Sequence, residues 1–72
     1  MNKIATQIKN QRKALNLSQL ELAELSGVGI NTLVAIERAQ GNPSLKVLLK
    51  LADCLGLELS FTPKRITGQG MR

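Results

Sequence analysis

Aromatic residues are almost missing from this chain: Phe61 is the only ring, with no Trp and no Tyr. Single-stranded nucleic acid is usually held on several stacked rings, which argues against an RRM- or OB-type reader. There is no histidine, and Cys54 is the one cysteine. An internal disulfide, a Cys/His zinc site and the commonest general base are therefore all excluded. Cys54 lies in an apolar run and reads as a small buried thiol rather than a reactive one. No phosphate-cradling loop, paired-carboxylate cleft or metal-ligand cluster is visible, so neither an enzyme nor a cofactor is expected. No signal peptide is read, and no apolar run approaches the roughly 20 residues of a membrane helix. A cytoplasmic protein is expected.

What is present is short and basic. The chain has 72 residues, 43% hydrophobic, with ten Lys and Arg against five Asp and Glu, a net charge of +5. Such a length allows one domain and buries only about 60% of the unfolded surface. Its core must be packed very regularly or be completed by a partner. The charge suits a polyanion, although the same charge would also serve solubility alone. The acidic residues all lie between Glu21 and Glu58, leaving both ends basic.

Periodicity predicts four helices. In NKIATQIKNQRKAL, Ile4, Ile8 and Leu15 fall on one face with Arg12 in line, and Asn16 tolerates the left-handed turn that ends a helix. A second helix is announced by Ser18 and Glu21, spaced as a capping box. Leu17 and Leu22 stand at the staple positions, and Leu22, Ala23 and Leu25 form the inner face. Gly27 stops this helix. After Val28 and Gly29 a third begins, with Leu33 and Ile36 on one side, ending in the turn-rich QGNPS. Ser44 caps a fourth, LKVLLKLADCLG, preceded by Pro43. Its core candidates are Leu45, Leu48, Leu51, Ala52 and Leu55, and Gly56 is its stop. The period then changes: Leu57, Leu59 and Phe61 alternate with Glu58, Ser60 and Thr62, which predicts a strand over 57–62 ended by Pro63. A short amphipathic fifth helix is the alternative. The tail 64–72 is basic, contains Gly and is expected to fray.

Two short helices joined by about three residues with a glycine make a helix-turn-helix or an αα-hairpin of a small bundle. The residues around the turn discriminate. Ala23 is small where a crossing helix comes close, Gly27 is permissive where the chain reverses, and Leu33 and Ile36 plug the second helix inward.

The joint pattern LSQ-x-x-LA-x-x-x-GV, L-x-x-IE and NPSL-x-x-LLKLA-x-x-LG resembles the DNA-binding domain of the Cro/C1-type (XRE) helix-turn-helix family, over about residues 8–59. The resemblance implies an all-α, lambda-repressor-like small helical bundle occupying 1–63. It implies a bridge between Arg12 and Glu37. It places Gln19 on the DNA backbone, with Thr32, Asn42, Ser44 and Lys46 as further phosphate contacts. The base-facing positions would be Ile30, Asn31, Thr32, Val34 and Ala35. Asn31 suits the N6/N7 edge of adenine, and Ile30 and Ala35 suit thymine methyls. Bland readings stand beside these: a local backbone bond for Asn31, a protein-interaction patch for the apolar positions, and a solvated pair for Arg12 and Glu37. Lys3, Lys9 and Lys13 read as a solvated face that adds steering.

The chain departs from the family in three places. Gly29 stands where Ser or Thr is frequent, and is a weaker cap. Ala39 stands where Gly is frequent, which predicts that the third helix runs on to Gln40 and turns at Gly41. The base-facing set has no Arg or Gln, so rich bidentate readout is not expected.

One strand cannot satisfy its own backbone groups. The simplest partner is the same strand of a second copy, paired antiparallel across a two-fold axis through Leu57, Leu59 and Phe61. A homodimer reading a palindromic operator in double-stranded DNA is the function expected, as a transcriptional repressor. The C-terminal LGLELSFTPKR is similar to the HipB-type antitoxin subgroup, which implies autoregulation and a HipA-like kinase toxin as partner. A module that mainly masks a partner toxin is the alternative.

Overall fold

A computed structural model describes residues 2–60 and residue 63. Four helices follow one another: α1 (Asn2–Ala14), α2 (Gln19–Ser26), α3 (Ile30–Glu37) and α4 (Leu45–Leu55). Helix α2 packs on α3 and α4, and α1 packs on the same two. The core where they meet contains Ile8, Leu22, Ala23, Val28, Leu33, Ile36, Leu51 and Leu55. Leu22, Leu33, Leu51 and Leu55 are its largest fully enclosed side chains.

The start of α2 is closed on both sides. The Glu21 N–H donates to Ser18 Oγ at 3.0 Å, and the Ser18 N–H donates to Glu21 Oε1 at 2.8 Å. Two backbone donors that the helix cannot satisfy are thereby satisfied. Leu17, before the cap, packs against the core cluster that includes Leu22. Ser44 caps α4 through Oγ, which accepts from the Val47 N–H at 3.2 Å. Gly29 gives α3 no side-chain cap.

All four helices end in a left-handed residue. Gly27 (φ 76) and Gly56 (φ 70) do so without a Cβ penalty, whereas Asn16 and Ala39 both sit at φ 59. After α3 the Ala39 N–H donates to the Ile36 carbonyl at 2.9 Å and the Gln40 N–H to the Ala35 carbonyl at 2.8 Å. These two bonds form a Schellman motif. Helix α3 therefore stops at Glu37 and does not continue to Gln40. The carbonyls of Ala35 and Ile36 are satisfied by bending the chain back, and Ala39 takes the strained conformation that this requires.

Other expectations are corrected by burial. On α1 the inward face is Ala5, Ile8 and Arg12, while Ile4 and Leu15 are exposed. Leu15 lies past the last helical residue, and Ile4 lies about 100° round the helix from Ala5. Leu25 is 65% exposed, because the inward direction of α2 lies between Leu22 and Ala23, and Leu25 stands about 110° round the helix from it. Leu45 opens α4 beyond the core and is 56% exposed, and Leu48 is half-buried. Cys54 is exposed on α4, not buried. Leu57 and Leu59 are half-buried while Glu58 and Ser60 are exposed, so burial keeps period two. Residues 57–60 nevertheless form neither a strand nor a helix within the single chain. Phe61 and Thr62, the rest of the expected strand, and the tail from 64 lie outside the described residues. Among the described residues, no helix is long and apolar enough to cross a membrane.

Candidate nucleic-acid interface

Helix α3 has only eight residues, and something must hold so short an element in place. Leu33 and Ile36 bury one side of it. Its C-terminal end is held by polar bonds. Arg12 Nε donates to Glu37 Oε2 at 2.7 Å, and Nη2 donates to Glu37 Oε1 at 3.0 Å. Arg12 Nη1 donates to the Leu17 carbonyl at 2.8 Å, and the Leu17 N–H donates back to the Arg12 carbonyl at 3.0 Å. Gln19 Nε2 donates to Glu37 Oε1 at 3.1 Å. One carboxylate thus ties α3 to α1 and to the first residue of α2.

Arg12 and Glu37 are each only 8% exposed. Two charges out of water are costly unless they are paired and fully hydrogen-bonded. That condition is met: among the described residues no buried side-chain polar atom lacks a partner. The hydrogen bond to Glu37 raises the Arg12 pKa above its ordinary value, burial opposes this, and the nearby carboxylate charge adds to the rise. Arg12 is therefore ionised at any ordinary pH, and its side of the bridge does not titrate.

The turn has its own fastening. Ser26 Oγ accepts from the Val28 N–H at 3.2 Å and donates to the Ala23 carbonyl at 3.4 Å. Val28 is buried in the core cluster. Sequence reading passed over Ser26, although a Ser just before a turn glycine is a signal for such local bonds. It also passed over Gln11, whose Nε2 donates to the Leu55 carbonyl at 3.0 Å and fastens the end of α4 to α1. Gln11 carries no local signal, because its acceptor is 44 residues away.

With its inner side and far end fixed, α3 turns Asn31 and Thr32 outward at its N-terminal end, where both are exposed. Neither side chain hydrogen-bonds within the described residues. Ile30, Val34 and Ala35 are half-buried, and Ile30 packs against the core. Of the sequence-derived base-facing set, then, two members are free polar side chains and three are partly committed to packing. Asn42, Ser44 and Lys46 are exposed, and Gln19 is half-buried with one amide N–H already on Glu37. Ser44 Oγ accepts the cap bond, which leaves its O–H free to donate. Arg38, directly after α3, is exposed and was not singled out from the sequence. Lys3, Lys9 and Lys13 are exposed along α1.

Two short helices around a glycine turn, the second pinned by a buried ion pair with its first turn exposed, define a helix-turn-helix domain. A helix-turn-helix family model matches residues 8–61. The chain is 46% identical over 55 residues to an uncharacterised HTH-type transcriptional regulator of Haemophilus influenzae, covering 76% of this chain and 56% of that protein. It is 33% identical over 57 residues to the cryptic phage CTXphi transcriptional repressor RstR of Vibrio cholerae, covering 79% and 51%. It is 35% identical over 69 residues to the control protein C.SmaI of Serratia marcescens, covering 96% and 79%. The chain spans about half the length of the first two of these relatives. It belongs to the helix-turn-helix family of Cro/C1 (XRE) type.

Proposed function

We propose that this protein is a sequence-specific double-stranded DNA-binding transcriptional repressor that acts as a homodimer on a palindromic operator. The observation that carries the reading is the locked α3: Glu37 is held from two sides while Asn31 and Thr32 stand exposed, with no side-chain hydrogen bond among the described residues. A helix bound for the major groove must be rigid at its buried side and free at its first turn. Asn31 is the base reader, bidentate to adenine N6 and N7. Val34 and Ala35 follow the groove with small apolar surface, and Ile30 offers what the core leaves exposed. Gln19, Thr32, Asn42, Ser44 and Lys46 hold the phosphates, and Lys3, Lys9 and Lys13 steer the approach. Two copies would read half-sites about 34 Å apart.

With one amide and a few methyl contacts per half-site, specificity per copy is modest. Dimerisation and sequence-dependent DNA shape supply the rest. Relatives that carry the names of a phage repressor and a control protein support repression. Autoregulation as the antitoxin of a HipA-like toxin rests on LGLELSFTPKR and small size alone, with Phe61, Thr62, Lys64 and Arg65 of that segment outside the described residues, so repression is the reading adopted.

The test is a random-site selection followed by titration of the selected duplex at rising salt. The expected result is a recovered inverted repeat whose affinity falls steeply between about 50 and 200 mM salt, each phosphate contact adding about −0.9 to the log–log slope. Recovery of no motif, with binding indifferent to salt, would remove the proposal.

A further inference from the structure

The turn that ends α3 also decides where Arg38 points. The helix closes at Glu37, but the Arg38 N–H still donates to the Val34 carbonyl at 3.1 Å. Arg38 therefore keeps its place on the helical spiral, and the chain turns away only after it, at Ala39 with φ 59. Arg38 comes seven residues after Asn31. That spacing falls about 20° short of two full turns and rises about 10.5 Å along the axis. Arg38 is thus in line with Asn31, on the side of α3 that Leu33 and Ile36 do not bury. Thr32, by contrast, stands about 100° round the helix from Asn31.

The Arg38 guanidinium is available. Arg38 is exposed, and among the described residues its side chain makes no hydrogen bond or ion pair. Its acidic neighbour Glu37 is already engaged: Arg12 holds both carboxylate oxygens, and Gln19 shares one of them. Between Asn31 and Arg38 the same face carries Val34 and Ala35, small and half-buried, which let the helix come close to a groove floor. Helical side chains lean over the turn N-terminal to their own Cα. The Cα–Cβ bond of Arg38 therefore points back over Val34 and Ala35, toward Asn31, rather than off the end of the helix.

We propose that Arg38 is a second base reader in each half-site, bidentate to O6 and N7 of a guanine. The rise from Asn31, shortened by the backward lean and divided by about 3.4 Å per base pair, sets this guanine about two to three pairs from the adenine of Asn31. A phosphate contact is the other use of an arginine here. It suits a side chain on the flank of a groove-bound helix, where Thr32 stands, and not one in line with the base reader. The proposal rests on the DNA-binding reading above and adds a specificity that Asn31 alone does not supply.

The test is a random-site selection with the wild-type protein, Arg38→Ala and Asn31→Ala. The wild type should return an adenine and a guanine about two to three pairs apart in each half-site. Arg38→Ala should keep the adenine and lose discrimination at the guanine by roughly 5- to 150-fold. Asn31→Ala should do the reverse. In the selected duplex, 7-deazaguanine at that position removes the N7 acceptor. It should weaken the wild type and leave Arg38→Ala unchanged. Arg38 is exposed, so the variant folds, and circular dichroism checks that it does.

If Arg38→Ala weakened binding to all sequences alike and lowered the salt slope by about 0.9, Arg38 would be a phosphate contact and the proposal would be overturned. A selected site without a guanine at this spacing would also overturn it, as would wild-type binding indifferent to 7-deazaguanine. In each of these cases a motif is still recovered and the DNA-binding reading stands. Recovery of no motif would remove both.

Discussion

The two sides of this small bundle are finished in different ways. On the helix-turn-helix side, Arg12, Glu37, Gln19 and the Leu17 carbonyl close on one another, and among the described residues no buried side-chain polar atom lacks a partner. Between α1 and α4, the described residues leave a groove whose apolar walls include Ile4, Leu48, Leu57 and Leu59. The first side holds its geometry within one chain, as a recognition helix must before it meets DNA. The second is left open among the described residues. A domain of 72 residues with a marginal core can present a rigid site at one face while leaving another face for assembly.

The contrast predicts a ranking of mutational costs. Glu37→Ala leaves Arg12 buried and unpaired, and should destabilise by about 3–5 kcal/mol in a urea titration. Arg12→Ala should cost about as much, and the double variant well under the sum, because the two residues share one interaction. A cost for Glu37→Ala no larger than that of a surface substitution would break the comparison. Next in size, Leu33→Ala in the closed core should cost about 2–5 kcal/mol. Leu48→Ala on the groove wall, starting half-buried, should cost about 1–2 kcal/mol, read from thermal melts.

Smaller effects test the helix ends. Ser18→Ala breaks the capping box of α2 and should cost about 1 kcal/mol. Ala39→Gly should stabilise by about 0.5–1 kcal/mol, since a left-handed Ala costs about 1–2 kcal/mol and the added freedom of the unfolded glycine offsets only part of that. Gly29→Ser should add a few tenths of a kcal/mol as an N-cap for α3. A Cβ at Gly29 would meet only Thr32 Oγ1, at 3.9 Å, so the site accepts it.

The same contrast explains how much could be read in advance. The four helices and the boundaries of α2 were legible because their signals are local: Ser18 with Glu21, Gly27, Ser44, Gly56. The bridge between Arg12 and Glu37 came only through the family resemblance, because 25 residues separate its partners. Local reasoning failed where packing direction decides. Leu25 and Leu45 carry helical periodicity yet face solvent, and on α1 it is Ala5 and not Ile4 that completes the inward face with Ile8 and Arg12. The end of α3 was misread because Ala39 has no intrinsic preference for the left-handed region. Its conformation is imposed by the bonds of Ala39 and Gln40 back to Ile36 and Ala35. Within the candidate site, Asn31 and Thr32 are exposed, but the partial burial of Ile30 depends on the neighbouring core and was not visible from spacing.

The central claim is that a locked α3 reads DNA through Asn31. The most direct measurement is a parallel selection of bound sites by the wild-type protein and by Asn31→Ala, with circular dichroism on both. The account predicts unchanged helicity and discrimination lost at one base position per half-site, by about 1–3 kcal/mol, with the other positions intact. An unchanged site preference for Asn31→Ala, in a protein that still folds and binds, would contradict it.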